Sequence, residues 1–383
     1  MNTMRTIYGA WLIPLFVLMV IASGCAVYES EDSGLYIIAT DITLPEVENI
    51  SDIYVIDDVV QDNETYEFEA DPQYETTEHT PLVPEEISTL VTIAGRQFCT
   101  SLTQLIMGRN GHLTSEDLIN LRYMTNLTHL SLSQSDLMYH NPTHDDWDPH
   151  TLSAEVLAFI KETSVDISPL AELTNLTSLD LSGVGVFDIS PLAGLTNLTE
   201  LGLGDNFILD ITPLTGLTNL TVLNLHGTSV NDLTPLVSLT NLEALYLCGF
   251  NTATTFSLEP LADLTNLRHL MIRTRNLDDI TPLANLTNLQ SLYLRDNQIS
   301  DLTPLANLTN LDSLGLSSNQ ISDISPLTDL TNLQILSLFH NQISDISPLA
   351  NLPNLRFLEI SCNPITDWSP VAHVARVSGR PRQ

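Results

Sequence analysis

The sequence predicts an α/β solenoid: a curved stack of short parallel strands on one face, with turns and 3₁₀ segments on the other. Three observations predict it. The phrase Thr-Asn-Leu recurs at Thr174, Thr196, Thr218 and Thr240, and again at Thr265, Thr287, Thr309 and Thr331, every 22 residues within each run. The chain is 43% hydrophobic but only 6% aromatic, with Leu dominant, which suits a repetitive interior better than one globular core. Within each copy, apolar residues first alternate and then change spacing, so a strand gives way to a tighter turn.

One copy shows the physics. Its apolar frame is Leu289, Leu292, Leu294, Asn297, Ile299, Leu302, Leu305 and Leu308. Leu292 and Leu294 are two apart, so both point to one side of a short strand, and Ser291, Tyr293 and Arg295 point to the other. Asn297 ends the strand, where its amide can bond to turn backbone. Thr303-Pro304-Leu305 reads as a helical start, with a hydroxyl cap and then Pro at the first helical position. A single copy cannot bury its leucines. Stacked copies can, at the ~4.8 Å spacing of paired strands.

The phase runs beyond the phrase. An earlier copy starts at Thr125, and the last reads Pro353-Asn354-Leu355. The step from Thr240 to Thr265 is three residues longer than the others. Leu102, Leu105, Met107 and Asn110 fit the strand template, with Leu113 following. Ala154, Leu157 and Phe159 also fit, counted back from Asp166 and Pro169, and are read as a degenerate repeat; a helix over 152–162 is the alternative. This gives about 12 repeats and a stack on the order of 55 Å long. Both ends of such a core need covers. Leu90–Ala94 suits an N-terminal capping strand, and Trp368, Val371, Val374 and Val377 suit a C-terminal cap.

The pattern Leu-x-x-Leu-x-Leu-x-x-Asn-x-Ile-x-Asp-Ile/Leu-Ser/Thr-Pro-Leu resembles the 22-residue leucine-rich repeats of bacterial internalins and related surface proteins, from about residue 100 to 370. The resemblance implies a leucine-rich-repeat curved stack with its parallel sheet on the concave face. It also implies protein binding through that face. We expect no helical cap domain before the repeats and no immunoglobulin-like domain or wall-sorting signal after them, so invasion is not implied.

Two segments precede the repeats. Arg5 leads an apolar run from Ile7 to Ala22, which ends in Ala22-Ser23-Gly24-Cys25. A positive start, an apolar centre and small residues before a cut site describe a secretory signal. Small residues directly before Cys resemble the lipobox of bacterial lipoproteins, although that motif more often has Leu where this chain has Ala22. The resemblance implies cleavage before Cys25, lipidation of its thiol, and anchoring to the outer side of a bacterial membrane. An uncut membrane anchor fits less well, because the run is short for a span of ~20 residues and contains Pro14. From Cys25 to Ser88 there is no Lys or Arg and acids are dense. Like charges extend a chain, so this is read as a largely disordered acidic stalk. The expected organisation is residues 1–24 signal peptide, 25–88 stalk, 89–367 repeat domain and 368–383 C-terminal cap and tail.

The net charge of −34, from 47 acids against 13 Lys plus Arg, excludes nucleic acid as a partner. Cys99, Cys248 and Cys362 follow neither metal-binding nor disulfide spacing and read as small apolar fillers. The segment from His140 to His150 holds three His and three Asp. It is read as a polar loop, because its prolines leave no helix to fix metal ligands. No metal, no cofactor and a monomer are expected.

The candidate site is the concave face. Most copies offer small or neutral groups there, such as Ser131, Gly202, Asn224, Gly315 and Ser337. The middle differs. Tyr246, Met271 and Tyr293 form one column, and Cys248, Arg273 and Arg295 the next, with His269 beside Met271 and Arg275 just after the strand. Three arginines in adjacent copies make a positive island in an acidic chain, and Tyr with Arg is the composition of binding hot spots. A second group is Phe339, His340, Phe357 and Glu359. The expected function is capture of a protein ligand, with polysaccharide as an alternative partner. A passive envelope scaffold stays open. A hydrolase has the weakest support: Asp180, Glu200 and His226 show no orienting partner, and an open face excludes water poorly.

Overall fold

Why the leucines sit where they do is visible in the computed structural model, which describes residues 90–107, 113–134, 154–248 and 257–380. The described residues begin with an antiparallel hairpin, β1 (Leu90–Ile93) and β2 (Arg96–Cys99), joined by Ala94 and Gly95 at φ 49° and 75°. Twelve parallel strands then follow in sequence order. They are β3 (Gln104–Ile106), β4 (His129–Ser131), β5 (Ser178–Asp180), β6 (Glu200–Gly202), β7 (Val222–Asn224) and β8 (Ala244–Cys248). After them come β9 (His269–Arg273), β10 (Ser291–Tyr293), β11 (Ser313–Gly315), β12 (Ile335–Ser337), β13 (Phe357–Glu359) and β14 (Arg376–Ser378).

The register stacks leucine on leucine. Leu292 lies between Leu270 and Leu314, and Leu336 between Leu314 and Leu358. Leu292, Leu294, Ile299, Leu302, Leu305 and Leu308 are all buried, and the same positions in every copy merge into one continuous core. A slip of one residue would turn that whole set to solvent, so burial fixes the register.

Two series of asparagines stitch neighbouring copies. The inner series includes Asn297, Asn319 and Asn341. Asn319 donates to the carbonyls of Leu294 (2.9 Å) and Leu316 (3.0 Å) and accepts from the Ile299 N–H (3.0 Å). The outer series explains the recurring phrase: Asn310 donates to the Thr287 carbonyl at 2.8 Å and Asn332 to Thr309 at 2.8 Å. From Asn175 to Asn332, the Asn of each Thr-Asn-Leu reaches back one copy and its Leu enters the core.

Three expectations are corrected. First, the hydroxyl before Pro is not the cap of the convex turn. The 3₁₀ segment Thr303–Leu305 follows Leu302, which supplies no side-chain cap, and Asp301 Oδ1 accepts the Thr303 N–H at 2.8 Å. An ionised carboxylate two residues upstream is the stronger acceptor, and Pro falls after the Ser or Thr.

Second, Ala154–Thr163 is a helix and not a degenerate strand. Among the described residues it is the second α-helix, after a one-turn helix at Ser115–Leu118 capped by Thr114. The run Ala-Glu-Val-Leu-Ala-Phe-Ile-Lys-Glu-Thr is rich in helix formers and free of Gly and Pro. The alternation of Leu157 and Phe159 was too short to outweigh it, and Phe159 is exposed. Strand β4 pairs directly with β5, Ser131 against Asp180. Asp166 and Pro169 are in phase because they open the 3₁₀ segment Ser168–Glu172, which completes the copy that β4 began.

Third, the twelfth strand is at the other end. β14 stacks on β13 with Val377 against Leu358, over buried Val371 and Val374. The expected signal peptide, Cys25, the stalk, Asn110 and the His140–His150 segment lie outside the described residues.

Candidate ligand-binding face

Alternation along each strand sends every second side chain outward. The register then lines those side chains up across the sheet. Tyr246 is level with Asn224 and Met271, Tyr293 with Met271 and Gly315, and Cys248 with Arg273. The Tyr-Met-Tyr column is therefore continuous over β8, β9 and β10, and all three side chains are half-buried. Burial raises the phenol pKa of both tyrosines; in Tyr246 the neighbouring Tyr293 adds to it, and in Tyr293 a hydrogen bond with Ser313 opposes it.

Tyr293 leans over the next strand. A Cβ built on Gly315 would stand 2.6 Å from Tyr293 Cδ1. The Gly315 backbone does not need a glycine, since its φ is not positive; the tyrosine ring does.

Arg273 and Arg295 meet at Asp296. The Nε atoms of both reach Asp296 Oδ2, at 2.8 and 3.1 Å, with side chains 34% and 48% exposed. Burial alone would push the Asp296 carboxyl up, but Arg295 and Arg273 together hold it below the usual carboxylate range. Asp296 occupies a left-handed turn at φ 55°. That turn position recurs at Asp205, Ser318, His340 and Cys362, and in β9 it moves one residue on, to Arg275 at φ 66°. The shift goes with the longer strands β8 and β9, five residues each where their neighbours have three.

The other predicted residues separate from this cluster. His269 is level with Ala244 and Ser291, and burial lowers its pKa. Arg268 is a rim residue paired with Glu243 at 3.5 Å. Between β10 and the second group lies β11, which offers only Ser313, Gly315 and Ser317. Beyond it, Ser317 and Ser337 hydroxyls are 2.7 Å apart, and Ser337 donates to Glu359 Oε2 at 2.7 Å. Phe339, Phe357 and Glu359 sit at three different levels along their strands; the Phe339 and His340 rings are 5.9 Å apart. Arg376 lies over the Phe357 ring at 5.8 Å, a contact hidden from the sequence because β14 was not assigned.

Cys248 is buried, and burial pushes its thiol up to about 12, so it is an inert filler. Asp180 is half-buried beside Gly202, accepts the Ser182 N–H at 3.0 Å, and has a raised carboxyl pKa through loss of solvent around it. Glu200 accepts from Ser178 at 3.0 Å. Among the described residues no cluster of His, Cys, Asp or Glu suits a metal, and no helix is long and apolar enough to cross a membrane.

The family described as Leucine Rich repeats (2 copies) matches residues 287–329 and 331–373. An internalin from Listeria monocytogenes is 31% identical, with a TM-score of 0.55, over 76% of this chain and 91% of that one. A leucine-rich-repeat protein of Leptospira interrogans shares the fold at 23% identity and TM-score 0.55, over 72% of each chain. So does the plant peptide hormone receptor RGFR1 in complex with RGF2, at 22% identity and TM-score 0.52, over 74% of this chain and 48% of that one. No curated protein matches the chain. The match along nearly the whole Listeria protein decides the kinship: the chain belongs to the internalin family of leucine-rich-repeat proteins.

Proposed function

We propose that this protein captures a protein ligand on its concave sheet, with Tyr246, Met271, Tyr293, Arg273 and Arg295 at the centre of contact. His269 and Arg275 border that centre, and Phe339, Phe357 and Glu359 form a second contact area. One observation carries the reading. Between Asn224 on β7 and Gly315 on β11, two tyrosines and a methionine stand in register beside two arginines. Large amphipathic side chains held half-buried on an exposed sheet add little to the core, and they suit an interface hot spot. Lipid attachment at Cys25 would hold the repeats at the outer side of a bacterial membrane, where ligands are met.

The test compares residues 84–383 with a Tyr246→Ala, Arg273→Ala, Tyr293→Ala, Arg295→Ala variant shown by circular dichroism to be folded. Both are offered to host-type cells and to bacterial envelope material. Binding by the unaltered protein alone supports the site. Equal binding moves it to the Phe339–Glu359 area. No binding by either favours a passive scaffold. Metabolic labelling with a fatty-acid analogue, abolished by Cys25→Ser, checks the anchor.

A further inference from the structure

Resting on that binding face, we infer that the partner presents a carboxylate next to an apolar side chain. The carboxylate docks on Arg273 and Arg295, and the apolar group lies on the Tyr246–Met271–Tyr293 column.

The charge count points to an anion. Arg273 and Arg295 converge on one oxygen of one carboxylate, Asp296 Oδ2. The three side chains sum to a positive charge, set in a chain whose formal net charge is −34. Both contacts use Nε, the inner nitrogen of the guanidinium. The Arg273 contact is close but not aligned as a hydrogen bond, so it acts through charge. Arg273 makes no other ion pair among the described residues. The outer nitrogens of a guanidinium are the pair that grips a carboxylate in two parallel hydrogen bonds. Asp296, fixed in its left-handed turn, holds both arginines before any partner arrives, which lowers the ordering cost of docking.

The neighbouring surface decides what carries the carboxylate. Three consecutive strands present Tyr, Met and Tyr at one level, a platform about 10 Å long at strand spacing. Gly315 leaves room for the Tyr293 ring beside it. A free small anion would leave that platform empty. An Asp or Glu adjoining Phe, Trp, Leu or Met in a protein segment covers both parts.

The experiment selects a displayed library of random twelve-residue peptides on the full chain. Selected peptides are then measured on the unaltered protein, on Arg273→Gln/Arg295→Gln and on Tyr246→Ala/Tyr293→Ala. Acidic residues adjoining an apolar one should be enriched. The charge variant, or an amide in place of the peptide's acid, should weaken binding at least tenfold. Apolar enrichment without acids, or affinity unchanged by the charge variant, overturns the carboxylate assignment while leaving the face intact. A phosphoserine substituted for the acid that binds tenfold tighter also overturns it, in favour of phosphate. Peptides indifferent to the tyrosine variant mean that the face itself is misplaced.

Discussion

Strands β10 to β13 and strands β7 to β9 come from the same repeat but are held together differently. In the first run, buried Asn297, Asn319, Asn341 and partly buried Asn363 bond from copy to copy through main-chain carbonyls. In the second, the buried polar residues among those described are Thr228, Ser229 and Thr274, and the hydroxyls of Thr228 and Thr274 bond in the turns. Thr274 donates through N–H and hydroxyl to Asn297 Oδ1, at 3.1 and 3.0 Å, and has no amide to pass the chain further. There the left-handed turn slips by one residue and the strands lengthen. Tyr246 and Met271 stand on this second run, and Tyr293 on β10 beside it. In the first run, regularity therefore resides in the buried amides.

The largest expected effect tests that contrast. Asn319→Ala strands the Ile299 N–H in the core and leaves the carbonyls of Leu294 and Leu316 with one amide donor each, Asn297 and Asn341. A buried N–H left unpaired costs about 1–3 kcal/mol and the weakened carbonyls add to it, so a loss of about 3 kcal/mol is expected. Thr274→Val keeps the shape and leaves Asn297 one main-chain donor, so it should cost about 1 kcal/mol. Chemical denaturation of both variants decides. Equal losses would mean that both regions depend on their buried polar groups to the same degree.

Most of the fold was legible because a strand buried on one side advertises itself through alternation, and the repeat multiplies the signal. What failed lay where the repeat lapses. Leu358 and Val377 are 19 residues apart where most partners are 22 apart, and β14 has no Leu, so the sequence shows its residues only as a cap. Ala154–Thr163 imitated two strand positions within a helical composition. In the site, alternation sufficed to put Tyr246, Met271 and Tyr293 on one face. The meeting of Arg273 and Arg295 at Asp296 depends on a left-handed turn that Asp, Ser, His and Cys all occupy here, so residue type did not signal it. Nor did it signal Gly315, whose role is set by a ring from another strand.

Gly315→Ala separates packing from site geometry, with a smaller effect on stability. Alanine in a strand gains roughly 0.5–1 kcal/mol over glycine through lost chain freedom. The clash with Tyr293 offsets it, so net stability should change by less than about 1 kcal/mol. The ring must lift, and the burial that raises the Tyr293 phenol pKa is relieved. Ultraviolet titration against a Tyr293→Phe control should show that phenol ionising at lower pH. An unmoved titration would show that the ring can stay seated over an alanine.

The smallest effect contrasts the concave and convex carboxylates by pH. On the convex turns, Asp210, Asp232, Asp279 and Asp301 are lowered by hydrogen bonds from the side chain and then the N–H of the following Thr; in Asp345 and Asp367 the N–H of the following Ser leads. Their folded pKa lies below the unfolded value, so their contribution is complete above 3.8 and is lost as pH falls through the lowered values. Asp180 has the opposite sign. Burial raises it, against hydrogen bonds from Ser182 and Ser133. The folded state then holds a proton that the unfolded chain releases, so stability falls as pH rises from 3.8 through the raised value. Asp180→Asn should remove that fall and leave the acid-side loss unchanged, read as denaturation midpoints from pH 3 to 7. If wild type and variant run parallel across that range, Asp180 is as well solvated folded as unfolded, and its position beside Gly202 does not govern its charge.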